Sequence, residues 1–258
     1  MVEAEIRSIE GEIKGSLTLP SVFETVNRLD LIKRAVLAEQ SRKRQPQGRS
    51  PTAGKLVTQS SQGPGRGISK IPRTHGKRTH HANRAAYVKS TVGGMLAFPP
   101  KVDKKIVEKI NKKELRLALW SAVSLTADKA TVEARGHLLE EETAFPIVVE
   151  NAIMEVEKTS EMKEILENLG TGNDLIRSGI KKVRAGKGKM RGRKYRRKVG
   201  PLFVVSEDCK AMKAADNLAG VTVLRVRDLS VEDLAPGTHA GRLTIWTESA
   251  IKLLEEWN

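Results

Sequence analysis

The spacing of apolar residues changes within the first 42 positions of the chain. Apolar and polar residues alternate over positions 4–9 and 13–19, on either side of the turn sequence Glu10-Gly11-Glu12. This period of two predicts a pair of short strands joined by a tight turn. Over positions 27–42 the apolar residues recur instead at the spacing of one helical face, namely Leu31, Ile32, Ala35 and Val36. A helix is therefore predicted to follow the strand pair.

A second helix is predicted over positions 112–126. Its apolar residues share one face of the helix and are Leu115, Ala118, Leu119, Ala122 and Val123. Asn111 comes directly before this pattern and Glu114 lies three residues later, which is the arrangement of a capping box. We therefore expect the helix to begin directly after Asn111.

The second half of the chain alternates between apolar runs and helical patterns. Runs rich in strand-forming residues predict strands at positions 145–149, 201–205, 221–226 and 242–246. Helical patterns follow at positions 157–169, 207–218 and 248–257. The first three runs are almost continuously apolar, which is typical of strands covered on both faces. This order predicts an α/β fold with a mainly parallel sheet flanked by helices.

Two stretches of the sequence interrupt this pattern with positive charge. Positions 40–102 (the first basic segment) contain many Lys and Arg but no Asp or Glu. Positions 181–198 (the second basic segment) are mostly Lys or Arg and again include no acid. In the rest of the chain the acidic side chains outnumber the basic ones, although the whole chain has a net charge of +15. The excess positive charge is therefore confined to the two segments.

Segments of this composition are not expected to fold alone. They lack the acidic residues that would pair with their Lys and Arg, so they repel themselves and bury little apolar surface. Ordering each residue costs about 1–2 kcal/mol, which such segments cannot offset without a partner. A polyanion would supply that offset, because phosphate contacts release bound counterions. We therefore predict a globular domain at 1–43 and 101–258, with a long extended basic loop at 44–100 and the second basic segment within the domain.

Composition also excludes several classes of protein. A single cysteine, Cys209, leaves no disulfide framework and no cysteine-rich zinc site. The N-terminal stretch is acidic and lacks the apolar core of a secretory signal. No run of about 18 apolar residues is present, so no membrane span is predicted. These features favour a cytosolic protein.

No catalytic motif emerges from the sequence. The glycines of positions 63–67 follow no predicted strand and begin no helix, so they lack the context of a dinucleotide-binding fingerprint, and positions 186–192 have the wrong glycine spacing. His80 and His81 are adjacent but have no Cys or acid near them, which makes a poor metal site. Cys209 is interpreted as a small residue at the start of a helix. We therefore predict that the chain is not an enzyme and has neither cofactor nor metal.

Several separate stretches resemble one family, the universal large-subunit ribosomal protein number four in its archaeal and eukaryotic branch. The order QGPGRGISKIPRTHGKRTHHANRAA, GGMLAFPP and INKKELRLALWSAVSLTA is similar to that family's long loop and the helix after it. KVRAGKGKMRGRKYRRKVGPLFVVSED resembles the branch with the additional basic insert, and NLAGVTVLRVRDLSVEDLAPGTHAGRLTIWTESAI resembles the C-terminal part. The resemblance covers nearly the whole chain in order.

The resemblance implies a role in translation without catalysis. It implies an α/β body on the solvent side of the large ribosomal subunit, bound to large-subunit rRNA in one copy per subunit and acting early in subunit assembly. It implies that loop 44–100 threads between rRNA helices and that its tip, near positions 63–84, helps line the nascent-chain exit tunnel. The implied partners are rRNA, neighbouring large-subunit proteins and the nascent polypeptide, with no membrane and no homo-oligomer, in the cytoplasm.

The candidate RNA ligands are the cations of both segments together with imidazole and phenol rings that can stack on bases or hydrogen-bond to them. In the first segment, where the resemblance carries them over, they are Arg42, Lys43, Arg44, Arg49, Lys55, Arg66, Lys70, Arg73, His75, Lys77, Arg78, His80, His81, Arg84 and Lys89. In the second segment they are Lys181, Lys182, Arg184, Lys187, Lys189, Arg191, Arg193, Lys194, Tyr195, Arg196, Arg197 and Lys198.

Two other classes of protein stay open at the level of sequence. An RNA-modifying enzyme would use the sheet as a catalytic domain and would purify with a bound nucleotide or methyl donor. A free RNA chaperone would bind RNA without staying in a particle, so it would not sediment with large subunits.

Overall fold

A computed structural model describes residues 3–140 and 143–257 of the chain. These residues form two compact units. The α/β unit comprises the described parts of 1–41 and 108–258, and the basic unit comprises 42–107. Positions 1, 2, 141, 142 and 258 of the predicted globular domain lie outside the described residues.

The regular elements are numbered here in chain order. The strands are β1 (Glu3–Arg7), β2 (Ile13–Thr18), β3 (Gln59–Ser60), β4 (Arg73–Thr74), β5 (Ile147–Val149), β6 (Lys182–Val183), β7 (Tyr195–Arg196), β8 (Leu202–Val205), β9 (Thr222–Arg225) and β10 (Thr244–Thr247). The α-helices are α1 (Leu29–Arg42), α2 (Lys112–Ser124), α3 (Lys129–Ala134), α4 (Thr159–Leu166), α5 (Gly172–Gly179), α6 (Lys210–Asp216), α7 (Val231–Leu234) and α8 (Glu248–Glu255).

The α/β unit is built on a six-stranded sheet in the order β2-β1-β5-β10-β8-β9. Strands β1 and β2 are antiparallel, and each of the other neighbouring pairs is parallel. The last strand of the chain, β10, lies in the middle, with Ile245 opposite Ile147 of β5 and Phe203 of β8. The predicted mainly parallel sheet flanked by helices is confirmed.

The strands contribute side chains to two apolar layers, one on each face of the sheet. On one face, Val148, Val204 and Trp246 pack with α1, α2 and α8. On the other face, the neighbouring residues in the same strands pack with α4 and α6, for example Ile147 and Ile245. Because successive side chains of a strand point to opposite faces, burial of both faces requires apolar residues at every position. This explains the continuous apolar runs in the sequence.

The capping interactions differ from the predicted ones at two helices. Asn111 does lie at the start of α2, but its side chain makes no capping hydrogen bond. The carboxylate of Glu114 instead pairs with the Arg34 guanidinium at 3.1 Å, so the predicted capping box is wrong. A capping box is present at α7, where Ser230 and Asp233 bond each other's backbone N–H groups. That helix is only one turn long, and no sequence pattern predicted it.

The helix predicted at 157–169 corresponds to one shorter helix, and a second helix follows it in the chain. The first, α4, ends in a wide turn over Glu167–Thr171, in which Gly170 has a φ of 75°. The second helix, α5, follows directly and was not predicted. Glycine adopts this left-handed φ without strain. Any other residue here would be strained, and its side-chain carbon would lie 2.7 Å from Thr143 Oγ1. The helix α3 was also missed.

The basic unit, considered alone, lacks an apolar core. Its regular structure consists of the short antiparallel strands β3 and β4, with turns and irregular backbone elsewhere. Of residues 42–107, only Ala86 is buried. Large apolar side chains are exposed instead, including Val57 and Phe98, which are 87% and 94% exposed. The hydrophobic effect therefore contributes little to the shape of this unit.

Within residues 3–140 and 143–257, no helix is both long enough and apolar enough to cross a lipid bilayer.

Candidate nucleic-acid interface

Backbone hydrogen bonds hold together the middle of the basic unit. Thr74 N–H donates to Arg84 O at 3.0 Å, and Ala86 N–H donates to Pro72 O at 2.8 Å. These bonds place a third stretch of chain beside β4, which pairs with β3 on its other side. Residues 61–71 and 76–82 are the connecting turns of this small scaffold. Most of the segment QGPGRGISKIPR, residues 62–73, lies in the first of them, and its last residue, Arg73, belongs to β4.

The candidate RNA ligands of the basic unit face outward. Those from Arg42 to Lys89 are exposed except Lys55 and Arg73, which are half-buried. The Lys55 ammonium donates to the carbonyls of Gly93 and Gly94, so it fixes a turn of its own unit. Arg73 donates from Nη1 to Asn83 O at 3.0 Å, whereas its buried Nε has no hydrogen-bond partner among the described residues. The other candidate side chains lie at the surface, where a ligand can reach them.

The three histidines of the basic unit have different surroundings. His75 Nε2 lies 2.5 Å from Ser60 Oγ, which ties β4 to β3. The rings of His80 and His81 lie with their centroids 3.7 Å apart at an interplanar angle of 46°. Both of these rings are exposed. They can therefore stack on or hydrogen-bond to a ligand outside the unit.

The second basic segment forms a two-stranded hairpin on the α/β unit. Strands β6 and β7 are antiparallel, with Lys182 opposite Arg196 and Val183 opposite Tyr195. Arg184 N–H donates to Lys194 O at 2.8 Å and extends the ladder toward the tip. All candidate side chains of this hairpin are exposed except Arg184, which is half-buried. The Lys and Arg side chains of 181–198 have no ion pair among the described residues.

Tyr195 has a contact that limits its predicted stacking role. The Lys181 ammonium lies 3.9 Å from the centroid of its ring, and the Lys194 ammonium lies 5.4 Å away. One face of the ring is thus occupied by a cation in a favourable cation–π geometry. The ring is still 43% exposed, so the rest of its surface is open to a base.

A buried ionic cluster lies at the root of this hairpin. Arg177 donates from Nε to Asp174 Oδ1 at 2.6 Å and from Nη2 to Val199 O at 2.6 Å. His137 Nδ1 lies 3.0 Å from Asp174 Oδ2, and Leu138 N–H donates to Asp174 Oδ1. One carboxylate therefore links α5, the stretch after α3 and the chain that leaves the hairpin.

The hydrogen bonds around His137 indicate its protonation state. Leu243 N–H donates to His137 Nε2 at 3.3 Å, so Nε2 is an acceptor and the proton lies on Nδ1, directed at Asp174. Burial lowers the pKa of His137, although the Asp174 carboxylate opposes this effect. Burial alone would raise the pKa of Asp174, but hydrogen bonds from His137 and Arg177 lower it overall. The cluster is thus a neutral imidazole with an Arg–Asp ion pair.

Two further arginines hold the backbone at this root. Arg242 donates from Nε to Gly200 O at 3.0 Å and from Nη1 to Asp233 O at 2.9 Å. Arg135 donates from Nη2 to Pro236 O at 2.9 Å. Burial lowers the pKa of each of these arginines to about 10, so both stay protonated at neutral pH. Carbonyl oxygens therefore take the place of counterions for these two cations.

An open cleft with a volume of about 1160 Å³ lies next to this root. One part of its lining is apolar and includes Leu29, Ile180 and Val199. The other part is basic and consists of Lys33, Arg135, Arg177, Lys182, Arg196, Arg197 and Lys198, with His137 and His239. No Asp or Glu among the described residues lines the cleft.

The sequence predicted some of these cleft residues and missed others. Lys182, Arg196, Arg197 and Lys198 were predicted as ligands because they lie in an acid-free segment. Lys33, Arg135 and His239 were missed because they lie outside the two acid-free segments. The fold brings them together from distant parts of the chain. Nothing in their local sequence marks them as a group.

Nothing in the described residues indicates catalysis. Residues 3–140 and 143–257 contain no cluster of three or more His, Cys, Asp or Glu that could hold a metal. Cys209 lies at the N-terminal end of α6, as predicted, and burial raises the pKa of its thiol. A thiol with a raised pKa is a poor nucleophile at neutral pH. The chemistry that this surface offers is the binding of anions.

An α/β body with outlying basic segments and an exposed cationic surface is typical of proteins that bind nucleic acid. The model of the ribosomal protein L4/L1 family matches residues 17–257, and the chain belongs to that family. It is therefore a ribosomal protein with a structural role, and the prediction that it is not an enzyme is confirmed.

The chain is similar to several curated archaeal proteins, each named large ribosomal subunit protein uL4. It is 46% identical to one from Saccharolobus islandicus, over 96% of this chain and 91% of the relative. It is 45% identical to one from Methanosphaera stadtmanae, over 98% and 96% respectively. It is also 45% identical to one from Archaeoglobus fulgidus, over 99% of both chains. The resemblance drawn from the sequence motifs is thus confirmed.

Proposed function

We propose that this chain is a structural constituent of the large ribosomal subunit that binds large-subunit rRNA through its two basic segments. The large subunit is a cytoplasmic particle, and the chain is located with it. The observation that best supports rRNA binding is that the excess positive charge is separated from the acidic residues along the chain. The excess cations lie in two acid-free segments, and their side chains are almost all exposed.

The lack of an apolar core in the basic unit supports the proposal that it adopts an extended conformation when surrounded by RNA. With Ala86 as its only buried residue, the unit offers little apolar burial of its own to define a shape. A polyanion that surrounds it would supply the missing interactions. In this proposal residues 44–100 form a long extended loop that threads between rRNA helices, and positions 63–84 reach the nascent-chain exit tunnel. The partners are then rRNA, neighbouring ribosomal proteins and the nascent polypeptide.

The proposal includes a role in early subunit assembly, with one copy of the chain per subunit. Anchors in two segments allow the protein to join separate parts of one RNA before the particle is complete. A free RNA chaperone would have the same charge but would leave the particle. An RNA-modifying enzyme is excluded by membership of a structural family.

Sedimentation of cell extracts tests the main proposal. The chain should migrate with large subunits on a sucrose gradient and remain there after a moderate salt wash, because many phosphate contacts act together. Migration at the top of the gradient, or complete release by the wash, would favour the free chaperone.

Amide hydrogen exchange tests the state of the loop. In the free protein we expect fast exchange over residues 45–100 and protection in β5, β8 and β10. In the assembled subunit the same loop should become protected. Slow exchange over 45–100 without RNA would show that the loop is ordered by the protein itself.

A further inference from the structure

The cleft at the root of the second basic segment has a lining that phosphate neutralisation alone does not explain. We propose that this cleft receives unpaired nucleotides of the bound RNA, with their bases on the apolar wall and their phosphates on the basic rim. The proposal rests on the proposed RNA-binding function and names a subsite within it.

The apolar wall is unusual because it lies among cations. Leu29, Ile180 and Val199 are 59%, 52% and 41% exposed, although each belongs to the folded α/β unit. A purely electrostatic surface would be expected to show Lys or polar residues at such positions. Large apolar side chains in a concave, otherwise basic site instead indicate a ligand with both apolar and anionic parts. A nucleotide has both.

The basic rim is suited to a chain of phosphates. Arg196, Arg197 and Lys198 are consecutive, and Lys182 lies opposite Arg196 on the paired strand. Neither they nor Lys33 has a carboxylate partner among the described residues. The rim therefore carries several uncompensated charges close to each other. A single carboxylate or phosphate would satisfy only part of them, whereas a polyanion would satisfy them together.

Continuity with the hairpin favours RNA over an acidic peptide. The rim is the base of the second basic segment, in which most positions are Lys or Arg. An RNA strand bound along the hairpin would contact basic side chains continuously from the hairpin to the cleft. The volume of about 1160 Å³ exceeds the usual range for a site that takes one small molecule, so it has room for more than one nucleotide.

The cleft favours unpaired over paired RNA. A duplex keeps its bases stacked inside and presents riboses and phosphates to a protein. Bound over this cleft, a duplex would contact the rim and leave Leu29 and Ile180 uncovered. Unpaired nucleotides can turn their bases outward and cover these side chains while their phosphates stay on the cations.

A wall variant of the full-length chain tests this inference. The double substitution Leu29→Ser with Ile180→Ser removes apolar surface from exposed side chains, so folding should be preserved. The matched control is Ile176→Ser, since Ile176 is 68% exposed on α5 but does not line the cleft. The probes are a short uridine oligonucleotide, an RNA duplex with as many phosphates, inorganic polyphosphate and oligoglutamate.

The wall variant should bind the uridine oligonucleotide about three- to tenfold more weakly than the native chain, because it loses apolar contact with the bases. Its affinity for duplex and for polyphosphate should be unchanged, and the control should match the native chain with every probe. A 4-thiouridine oligonucleotide should crosslink to residues 177–182 and 196–199.

Three results would overturn the inference while leaving the proposed function intact. They are an equal loss of affinity for polyphosphate, crosslinks confined to other parts of the chain, and oligoglutamate that competes with the oligonucleotide and loses affinity in the wall variant. The last result would assign the cleft to an acidic peptide. Failure of the native chain to bind any RNA would instead refute the proposed function itself.

Discussion

At the scale of single residues, Asp174 organises the root of the second basic segment. Its side chain is fully buried and accepts hydrogen bonds from Arg177, His137 and the backbone of Leu138. Arg177 in turn holds the carbonyl of Val199, where the chain leaves the hairpin. The direction in which the hairpin leaves the body therefore depends on one buried ion pair. Substitutions in this cluster should affect the body first and RNA binding only as a consequence.

Substitution Asp174→Asn should destabilise the α/β unit by about 3–5 kcal/mol. The change leaves the Arg177 charge buried without a counterion, which costs far more than the pair itself contributes. Asp228→Asn is the matched control, because Asp228 also pairs with an arginine three residues away, but at an exposed site. That control should cost less than about 1 kcal/mol. Denaturant unfolding gives both values, and equal losses would contradict the role of burial.

The buried histidine predicts a loss of stability in mild acid. Burial lowers the pKa of His137 in the folded state, whereas the unfolded chain takes up the proton near pH 6.5. The contribution of neutral His137 is therefore fully present above about pH 6.5 and is lost as the pH falls from there toward the folded pKa. We expect the free energy of unfolding to fall as the pH drops through about 6.5. The slope of this fall cannot exceed about 1.4 kcal/mol per pH unit, because one proton is taken up.

The variant His137→Gln isolates this effect. It should be less stable than the native chain at neutral pH but should lose less stability in mild acid. Glu39 acts in the opposite direction, because burial raises its pKa and favours uptake of a proton by the folded state. An unchanged pH profile in His137→Gln would show that other groups cause the acid sensitivity. His239→Gln, which removes an exposed histidine near the same cleft, is the control.

The sequence predicted residues of one kind at this scale and missed those of another. The exposed cations were predictable because the absence of acids over long stretches leaves them no partner within the segment. The cluster of His137, Asp174 and Arg177 was not predictable. His137 and Asp174 are 37 positions apart, and buried ion pairs depend on how helices meet in space. No periodicity in the sequence encodes such a meeting.

At the scale of elements, two glycines allow β8, β9 and α5 to approach closely. A side-chain carbon at Gly220 would lie 2.7 Å from Ser178 Cβ, and one at Gly200 would lie 2.9 Å from Gly220 O. Gly200 N–H donates to Gly220 O at 3.0 Å across this contact. The φ of Gly220 is +88°, which other residues adopt only with strain.

Substitution Gly220→Ala should destabilise the α/β unit by about 1–3 kcal/mol, since it combines backbone strain with a steric overlap. Gly15→Ala in β2 is the control, because a side-chain carbon there meets no atom within 4 Å. The control should be neutral or slightly stabilising. Thermal unfolding followed by tryptophan fluorescence measures both. If Gly220→Ala left the stability unchanged, α5 would have to move away to make room for the added side chain.

The elements that the sequence predicted correctly are those with long or two-sided apolar patterns. Strands β5, β8 and β9 were predicted from continuous apolar runs, and α1, α2 and α8 from their helical period. Helices α3 and α7 have six and four residues, which is too few for a period to show. The predicted helix 157–169 stops just before Gly170, but α5 beyond it was missed; it begins at Gly172 and ends at Gly179, and glycine is a poor helix former.

At the scale of the whole molecule, the two units differ in what stabilises them. The apolar layers of the α/β unit are made only of residues from 3–41 and 108–257. The basic unit contributes no described residue to either layer. The order of strands in the sheet was not predictable from the sequence, because β10 is last in the chain yet lies between β5 and β8. Such long-range pairing leaves no local signal.

Deletion of residues 60–80 should leave the α/β unit folded with an unchanged unfolding midpoint. Its core contains none of these residues, and the three tryptophans, Trp120, Trp246 and Trp257, all report on the α/β unit. The shortened chain should also stay attached to large subunits, since the remaining cations include the whole second basic segment. A lower midpoint would show that the loop contributes to folding of the body. Loss from the particle alone would place the main anchor in the deleted residues.

The pairing of Lys182 with Arg196 gives dissolved ions two opposing effects on the hairpin. Like charges that face each other across a ladder repel, so ions that screen them should favour the closed hairpin. The same ions compete with the hairpin for phosphate and lower its affinity for RNA. A plot of the logarithm of the affinity for RNA against the logarithm of the salt concentration should therefore curve at low salt. There, repulsion between the paired cations opens the hairpin.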